Sequence, residues 1–511
     1  MRYGSAVMMI DELLKQVAEL EALVTQQAAT IAQQAVRIAA LEQQLDDAQR
    51  RGKRQATPFS KGAPKPEPKK PGRKAGHPAA QRAKPSHIER TLEAPLPDAC
   101  PHCGGQLQEE QVLPQYQEDI PRPVKPLVTQ FNVHIGHCAQ CARRVQGRHP
   151  EQTSDALGGA AVQLGPNVLA LGAELKHVLG VSYAKPPTRT ESGRGPGKVA
   201  RFCQRSFGLS ANRSSFARAD QRLAELWQPS YRLLLIRLRH STVVHSDETG
   251  WKVGGHNAWL WVFTNEQLTV YRIDPHRGHE VVESILGADF AGVLVSDCFL
   301  AYDALHYAKA KCAGHLLKRC KTLTESGSPV AVQFSQQVAR LLRGGIKLKE
   351  RQSRLTPHGY RVACGRLEAA LDRLLERHYR QPDTARFAKL LRKQREYLFT
   401  FLYVAEVAPT NNIAERELRP AVIIRKTNGC NRSPAGATAH SILSSVIRTC
   451  EKQGLDFIDQ SRKVLQAAGS TPLDLCGSGT DPPLLPVDQA TNSALLPVPD
   501  VGTASAPSSN R

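Results

Sequence analysis

The chain lacks any run of apolar residues long enough to cross a membrane. Its first residues meet Asp11 and Glu12 where a secretory signal needs an apolar core. Acid is also scarce: 47 Asp and Glu stand against 68 Lys and Arg, a formal charge of +21. A disulfide framework is missing too. Of 12 cysteines, four form two Cys-x-x-Cys pairs and the rest are scattered, which argues for bound metal in a reducing compartment. These absences predict a cytoplasmic protein, without a membrane partner, that meets a polyanion. Nucleic acid leads, because neutralising phosphates releases counterions. A solvated basic surface is the plainer reading of the same charge.

What is present is modular. At 511 residues the chain is expected to hold several domains. Within an expected coiled-coil segment over 10–50, residues 10–45 carry a heptad with Ile10, Val17, Val24, Ile31, Ile38 and Leu45 on one seam, and Leu13, Leu20, Gln27, Gln34 and Leu41 on the other. β-Branched residues on the first seam and Leu on the second favour a parallel two-stranded coiled coil. The alternative is an amphipathic helix packed on its own chain. Residues 51–95 form a basic, proline-rich linker with too few apolar residues to repay ordering. It serves as a spacer, a basic arm on DNA, or both. Residues 155–238 read as helical. Within them Lys198–Gly208 and Arg213–Asp220 resemble a helix-turn-helix, a pattern that ordinary packed helices also show. Pro186–Gly197 reads as a surface insertion, and 470–511 as a disordered tail.

Residues 96–150 contain Cys100-Pro-His-Cys103 and Cys138-Ala-Gln-Cys141. Two such knuckles supply four thiolates in tetrahedral geometry, a structural Zn2+ site. A redox dithiol needs only one pair. His102, His134 and His137 are substitute ligands for a site that four cysteines already close. The stretch Val124–Val133 reads as strand, enough for a zinc ribbon.

Three acids carry the chemistry. Asp247 follows a β-branched run in Thr242–Gly250, Asp297 ends the apolar run Gly292–Asp297, and Glu415 opens a helix in Asn411–Arg419. Two strand-end carboxylates and one from a distant helix can hold two divalent cations about 3.5–4 Å apart, the arrangement that drives in-line displacement at phosphorus. Mg2+ suits such a site, since it takes few protein carboxylates. The intervening chain predicts a hairpin from Ala258–Phe263 and Leu268–Ile273, a helix near His279–Leu286, and a mostly helical stretch over 312–405. Each acid also has a plainer reading. Asp247 suits a turn or cap beside Thr249 and Gly250. Glu248 points to the opposite strand face. Glu415 suits a helix first turn, with Glu417 a nearby competitor. His245 shares a strand face with Asp247, either orienting it or serving as a core histidine. Cys312 and His315 offer two metal ligands, which favours a structural role.

Strand with acid, hairpin, helix, strand with acid, then late helix with acid suggests a multidomain chain with an α/β ribonuclease H-like catalytic domain over 239–460. At these residues the sequence resembles the transposases of the insertion sequence 66 family. The resemblance rests on His245–Trp251, Val295–Tyr302 and Pro409–Pro420 with Arg425 and Lys426 beyond. Gly72–Pro78, the cysteine knuckles and the N-terminal heptad extend it upstream. It departs at Asp297-Cys298, where the family usually has Asp-Gly, and at Cys312-Ala-Gly-His315, where it usually has Cys-Trp-Ala-His. Neither departure removes a carboxylate. The resemblance implies an Asp-Asp-Glu transposase, a polynucleotidyl transferase using Mg2+ or Mn2+ on Asp247, Asp297 and Glu415. It implies DNA ends and target DNA as partners, at least a dimer, and accessory proteins of the same element. Arg416, Arg419, Arg425 and Lys426 are candidate phosphate contacts, or else an ordinary basic helix face. A catalytically inactive zinc-ribbon and coiled-coil DNA-binding regulator explains charge, zinc and dimer but not the acids. A ribonuclease H or junction nuclease explains the acids but not the basic front end.

Overall fold

The computed structural model describes residues 17, 19–42, 84–98, 101–106, 108, 111–117, 124–183, 197–326, 328–467 and 472–477. The Gly72–Pro78 motif, Cys100, most of the Pro186–Gly197 insertion and nearly all of the expected tail lie outside them. The chain divides into two units, 1–117 and 118–511.

In the first unit, residues 19–42 form one helix, α1, with every described side chain exposed. In the second, a small antiparallel pair comes first: β1 (Ile135–His137) and β2 (Arg144–Gln146). The strand expected over 124–133 does not form; that stretch pairs with nothing and carries Leu127 and Val128 exposed at 94% and 85%. Apolar side chains without a partner strand or a core do not make a ladder.

The main body is a five-stranded sheet of order β5-β4-β3-β6-β7. Here β3 is Val243–Val253, β4 His256–Thr264, β5 Thr269–Asp274, β6 Val293–Ser296 and β7 Ala308–Lys311. β3, β4 and β5 run antiparallel in sequence, while β6 and β7 are parallel to β3. The β3–β4 turn is Gly254-Gly255, with φ of 58° and 89°, the left-handed backbone that a two-residue hairpin demands.

Two helical layers cover the sheet. On one face α4 (Arg213–Arg239), α5 (His279–Leu286) and α12 (Pro434–Gln453) bury Trp227, Leu234 and Leu443 against Trp261, Phe263 and Leu294. α2 (Pro166–His177) and α13 (Phe457–Gln466) complete that layer, and α3 (Lys198–Phe207) packs Val199 and Cys203 with Phe216 of α4. On the other face Val243, Val295 and Ala310 meet the insertion helices α6 (Ala313–Ser326), α7 (Pro329–Glu350), α8 (Pro357–Glu376), α9 (Pro382–Lys393) and α10 (Thr400–Tyr403). Beside them α11 (Asn412–Asn428) lays Ala414, Leu418 and Ala421 on Leu260 and Val262.

The free edge of β5 is sealed by side chains. Ser441, Ser445 and Thr449, spaced by four along α12, accept the N–H groups of Ile273, Tyr271 and Thr269 at 3.0, 2.8 and 3.2 Å. A helix with one stripe of hydroxyls thus replaces a sixth strand and satisfies an edge that would otherwise recruit another chain.

Candidate active site

β3 and β6 lie parallel with His245 paired to Val295. Carried two residues on, that register sets Asp247 level with Asp297 on strands about 4.8 Å apart. Alternation turns both to the face that presents Val243 and Val295. Asp247 does not end its strand or sit in a turn. β3 continues to Val253 against β4, and only the parallel partner stops. Asp247 Oδ1 accepts the N–H of Glu248 at 2.9 Å, and Asp297 Oδ1 accepts that of Phe299 at 2.8 Å. Burial, with the Glu248 and Asp297 charges behind it, pushes the Asp247 carboxyl up to about 7.

The third acid arrives from α11. Glu415 lies in its first turn, with Oε1 3.8 Å from His315 Nδ1. One donor atom each from Cys312, His315 and Glu415 all lie within 4.8 Å of one another. A hydrogen bond to Cys312, aided by the charges of Asp297 and Glu415, holds the His315 imidazole up at about 9 against the effect of burial. His315 in turn draws the Asp247 carboxyl down. Asp247, Asp297, Glu415 and His315 therefore form one electrostatic cluster. Its residues come from β3, the end of β6, the start of α11 and the start of α6.

Asn411, the N-cap of α11, fixes this junction and was not singled out from sequence. It is fully buried. Its Nδ2 donates to the Ser246 carbonyl at 2.8 Å, its Oδ1 lies 3.0 Å from His245 Nδ1, and its backbone N–H donates to Cys312 Sγ at 3.1 Å. His245 is thus a buried histidine that meets Asn411; burial pushes its imidazole down toward the neutral form. The signal in the sequence was the doubled Asn411-Asn412 just before Glu415.

The two competing acids are occupied elsewhere. Glu248 faces the opposite side of the sheet, where Arg277 donates to it at 2.7 Å and Tyr302 at 3.0 Å. Arg277 in turn lies over the Trp259 and Phe299 rings at 4.2 and 4.0 Å. Glu417 is buried on the far side of α11 with Arg448 at 2.8 Å. Beneath Asp297, buried Lys311 donates to its backbone carbonyl at 2.9 Å and to Ser296 Oγ at 3.2 Å, fixing the strand end without touching the carboxylate.

Of the candidate phosphate contacts, Arg416, Arg419 and Lys426 are exposed. Arg425 is half-buried and committed to β3: its guanidinium donates to Thr249 Oγ1 at 3.0 Å and to the Gly250 carbonyl.

The cysteine knuckles fall in different units. Cys103 belongs to 1–117 and is exposed, while Cys138 and Cys141 belong to 118–511. Cys138 opens the β1–β2 turn, its carbonyl accepting the Ala142 N–H at 2.9 Å. Backbone N–H groups of Cys141 and Gln140 aim at its sulfur and lower the thiol's pKa, the environment a thiolate ligand needs.

A mixed sheet that sets two carboxylates side by side and takes a third from a late helix defines an α/β domain that concentrates negative charge at one place. Residues 198–439 match the family model of the Transposase IS66 family. All three acids lie inside the match; the heptad and the cysteine knuckles lie outside it. The uncharacterized protein y4qI of Sinorhizobium fredii is 26% identical over 227 residues, 40% of this chain and 42% of that protein. The match spans less than half of that relative's length. No described helix is long and apolar enough to cross a membrane.

Proposed function

We propose that this chain is a DNA transposase of the Asp-Asp-Glu type, which binds the ends of an insertion sequence and cuts and joins strands there. What supports this is Asp247 and Asp297, level where β3 and β6 pair, with His315 linking them electrostatically to Glu415 at the start of α11. The order of the five strands and the insertion between β7 and α11 support a ribonuclease H-like reading of 239–460.

The donor set fits Mg2+ or Mn2+. It offers hard carboxylate oxygens, and burial, with the Glu248 and Asp297 charges behind it, pushes the Asp247 carboxyl up to about 7, the kind of site a cation would relieve. Bound there, a divalent cation pair supplies activation of the attacking oxygen and stabilisation of the leaving one. The chain's own residues do the rest. Asn411 ties β3 to the start of α11, where Glu415 meets His315. Lys311 holds the Asp297 backbone, and Arg277 with Tyr302 keeps Glu248 away from the site. His315 adds a nitrogen donor beside Glu415. Arg416 and Arg419 are free on the solvent side of α11 to meet DNA phosphates.

Asp297→Asn tests the reading, because it removes a charge with little change of shape. Strand transfer should be lost while end binding persists; transfer at the wild-type rate would sink the assignment. An inactive DNA-binding regulator leaves the gathered carboxylates unexplained. The spacing of two Cys-x-x-Cys pairs in the sequence is the ground for reading Cys100, Cys103, Cys138 and Cys141 as ligands of a structural Zn2+. Metal analysis of the purified chain should return near-stoichiometric zinc, and Cys138→Ser should lower it; full zinc in that variant counts against the site.

A further inference from the structure

The insertion between β7 and α11 holds most of the chain's excess charge. Residues 313–405 carry 19 Lys and Arg against 7 Asp and Glu, a net +12 within a chain of +21. Its first two helices, α6 and α7, pack Leu316 and Cys320 against Phe334, Val338 and Leu342. To one side of that seam they leave a groove of about 710 Å³, lined by Lys321 of α6 and by Arg340, Arg343 and Lys347 of α7.

Three features single out this groove. Arg340, Arg343 and Lys347 follow i, i+3, i+7 spacing, so they share one stripe of α7, about 10 Å long at 1.5 Å per residue. All three are exposed, and among the described residues no carboxylate pairs with them; the groove's one acid, Glu325, is turned to Lys321 at 3.5 Å. Finally, α6 joins the groove to the candidate active site. His315 is in its first turn and Lys321 six residues on, about 9 Å along the same rigid helix.

We propose that this groove holds the sugar–phosphate backbone of the DNA whose strand reaches Asp247, Asp297 and Glu415, with Arg340, Arg343 and Lys347 each facing a phosphate. The inference rests on the transposase reading. A stripe of about 10 Å matches roughly three nucleotides at 3.4 Å of axial rise per step. The cations contact no base edge in this arrangement, so they set position and affinity without sequence preference.

The test is a salt titration of duplex binding by the full chain. Arg340→Gln/Arg343→Gln/Lys347→Gln should lower the slope of log affinity against log salt by about 2–3, at about 0.9 per phosphate contact, equally for an element end and an unrelated duplex. Arg343→Gln alone should lower it by about 1. The control, Arg361→Gln/Arg366→Gln/Arg373→Gln, removes equal charge from exposed positions of α8. It should leave the slope near wild type. Glutamine at exposed positions preserves the fold, which thermal melting checks. A groove variant with the wild-type slope, or a control that loses as much, overturns the proposal while leaving the transposase reading intact. A wild-type chain that binds no DNA overturns both.

Discussion

Asn411 is wholly buried and ties three elements together: its amide meets β3 through Ser246 and His245, its carbonyl accepts the Glu415 N–H of α11 at 3.1 Å, and its backbone N–H donates to Cys312 just before α6. Removing it would leave the Ser246 carbonyl and the His245 ring without partners in a dry place, at a cost on the order of 1–3 kcal/mol each. Asn411→Ala is therefore expected to lower the melting temperature by several degrees and to weaken Mn2+ binding in calorimetry, because Glu415 loses its anchor. Unchanged Mn2+ affinity with a lowered melting point would make Asn411 a packing residue only. The positions of the three acids in two strand runs and a helix start were legible from the sequence, and His315 was named there with Cys312 as a metal ligand, though not as a neighbour of Glu415. Asn411 was not, because its importance comes from contacts across 165 or 166 residues. Nor could the sequence show that Arg425 turns to the β3 backbone instead of to solvent.

At the scale of elements, local pattern sufficed where a segment's own residues decide its shape. The helix His279–Leu286 and the β4–β5 hairpin follow from periodicity and turn chemistry. The β3–β4 hairpin was overlooked, although Gly254-Gly255 is its signal. The stretch 124–133 misled, since strand propensity without a neighbour does not make a strand. The sealing of β5 by α12 depends on tertiary packing that no local window contains. Packing also hides charge between α2 and α4, where buried Asp220 meets Lys176, His177 at 3.0 Å and Tyr183 at 3.2 Å, with the His440 ring of α12 4.9 Å from that of His177. Despite the opposing effect of burial, the Lys176 charge and the hydrogen bonds from His177 and Lys176 hold the Asp220 carboxyl well below its usual range. A carboxyl depressed in the folded state stabilises above its unfolded value of about 3.9, and that stability fades as pH falls below it. Burial also pushes His177 and His440 down, so the unfolded chain binds more protons below about 6.5 and acid destabilises twice over. Asp220→Asn should cost on the order of 3 kcal/mol near neutrality. The gap from wild type in urea midpoint should narrow as pH falls from about 4 toward 2. A gap independent of pH would show that the ion cluster is not what Asp220 contributes.

For the whole molecule the question is how many chains act together, since transposition as proposed must bring two DNA ends to one place. α1 bears on it directly. Val17, Leu20, Val24, Ile31, Ile38 and Leu41 are exposed by 49–65%, along a helix with every described side chain open to solvent. A seam of this length left in water forgoes burial at about 25 cal/mol per Å2. The alternative of an amphipathic helix packed on its own chain gains no support from these exposures. The spacing by seven and the β-branched choice at Val17, Val24, Ile31 and Ile38 favour pairing with a second parallel copy. The described helix, 24 residues over 19–42, makes about 36 Å of seam at 1.5 Å each. Val17→Asp with Val24→Asp would set charges into that seam, where a dimer cannot solvate them. The full-length variant is expected to scatter light as a smaller species and to form fewer paired-end complexes. Metal-dependent nicking of a single end should persist, because α1 lies outside the stretch that carries Asp247, Asp297 and Glu415. If mass and end pairing stay as in the wild type, α1 is not the contact between chains, and the 118–511 unit becomes the place to find it.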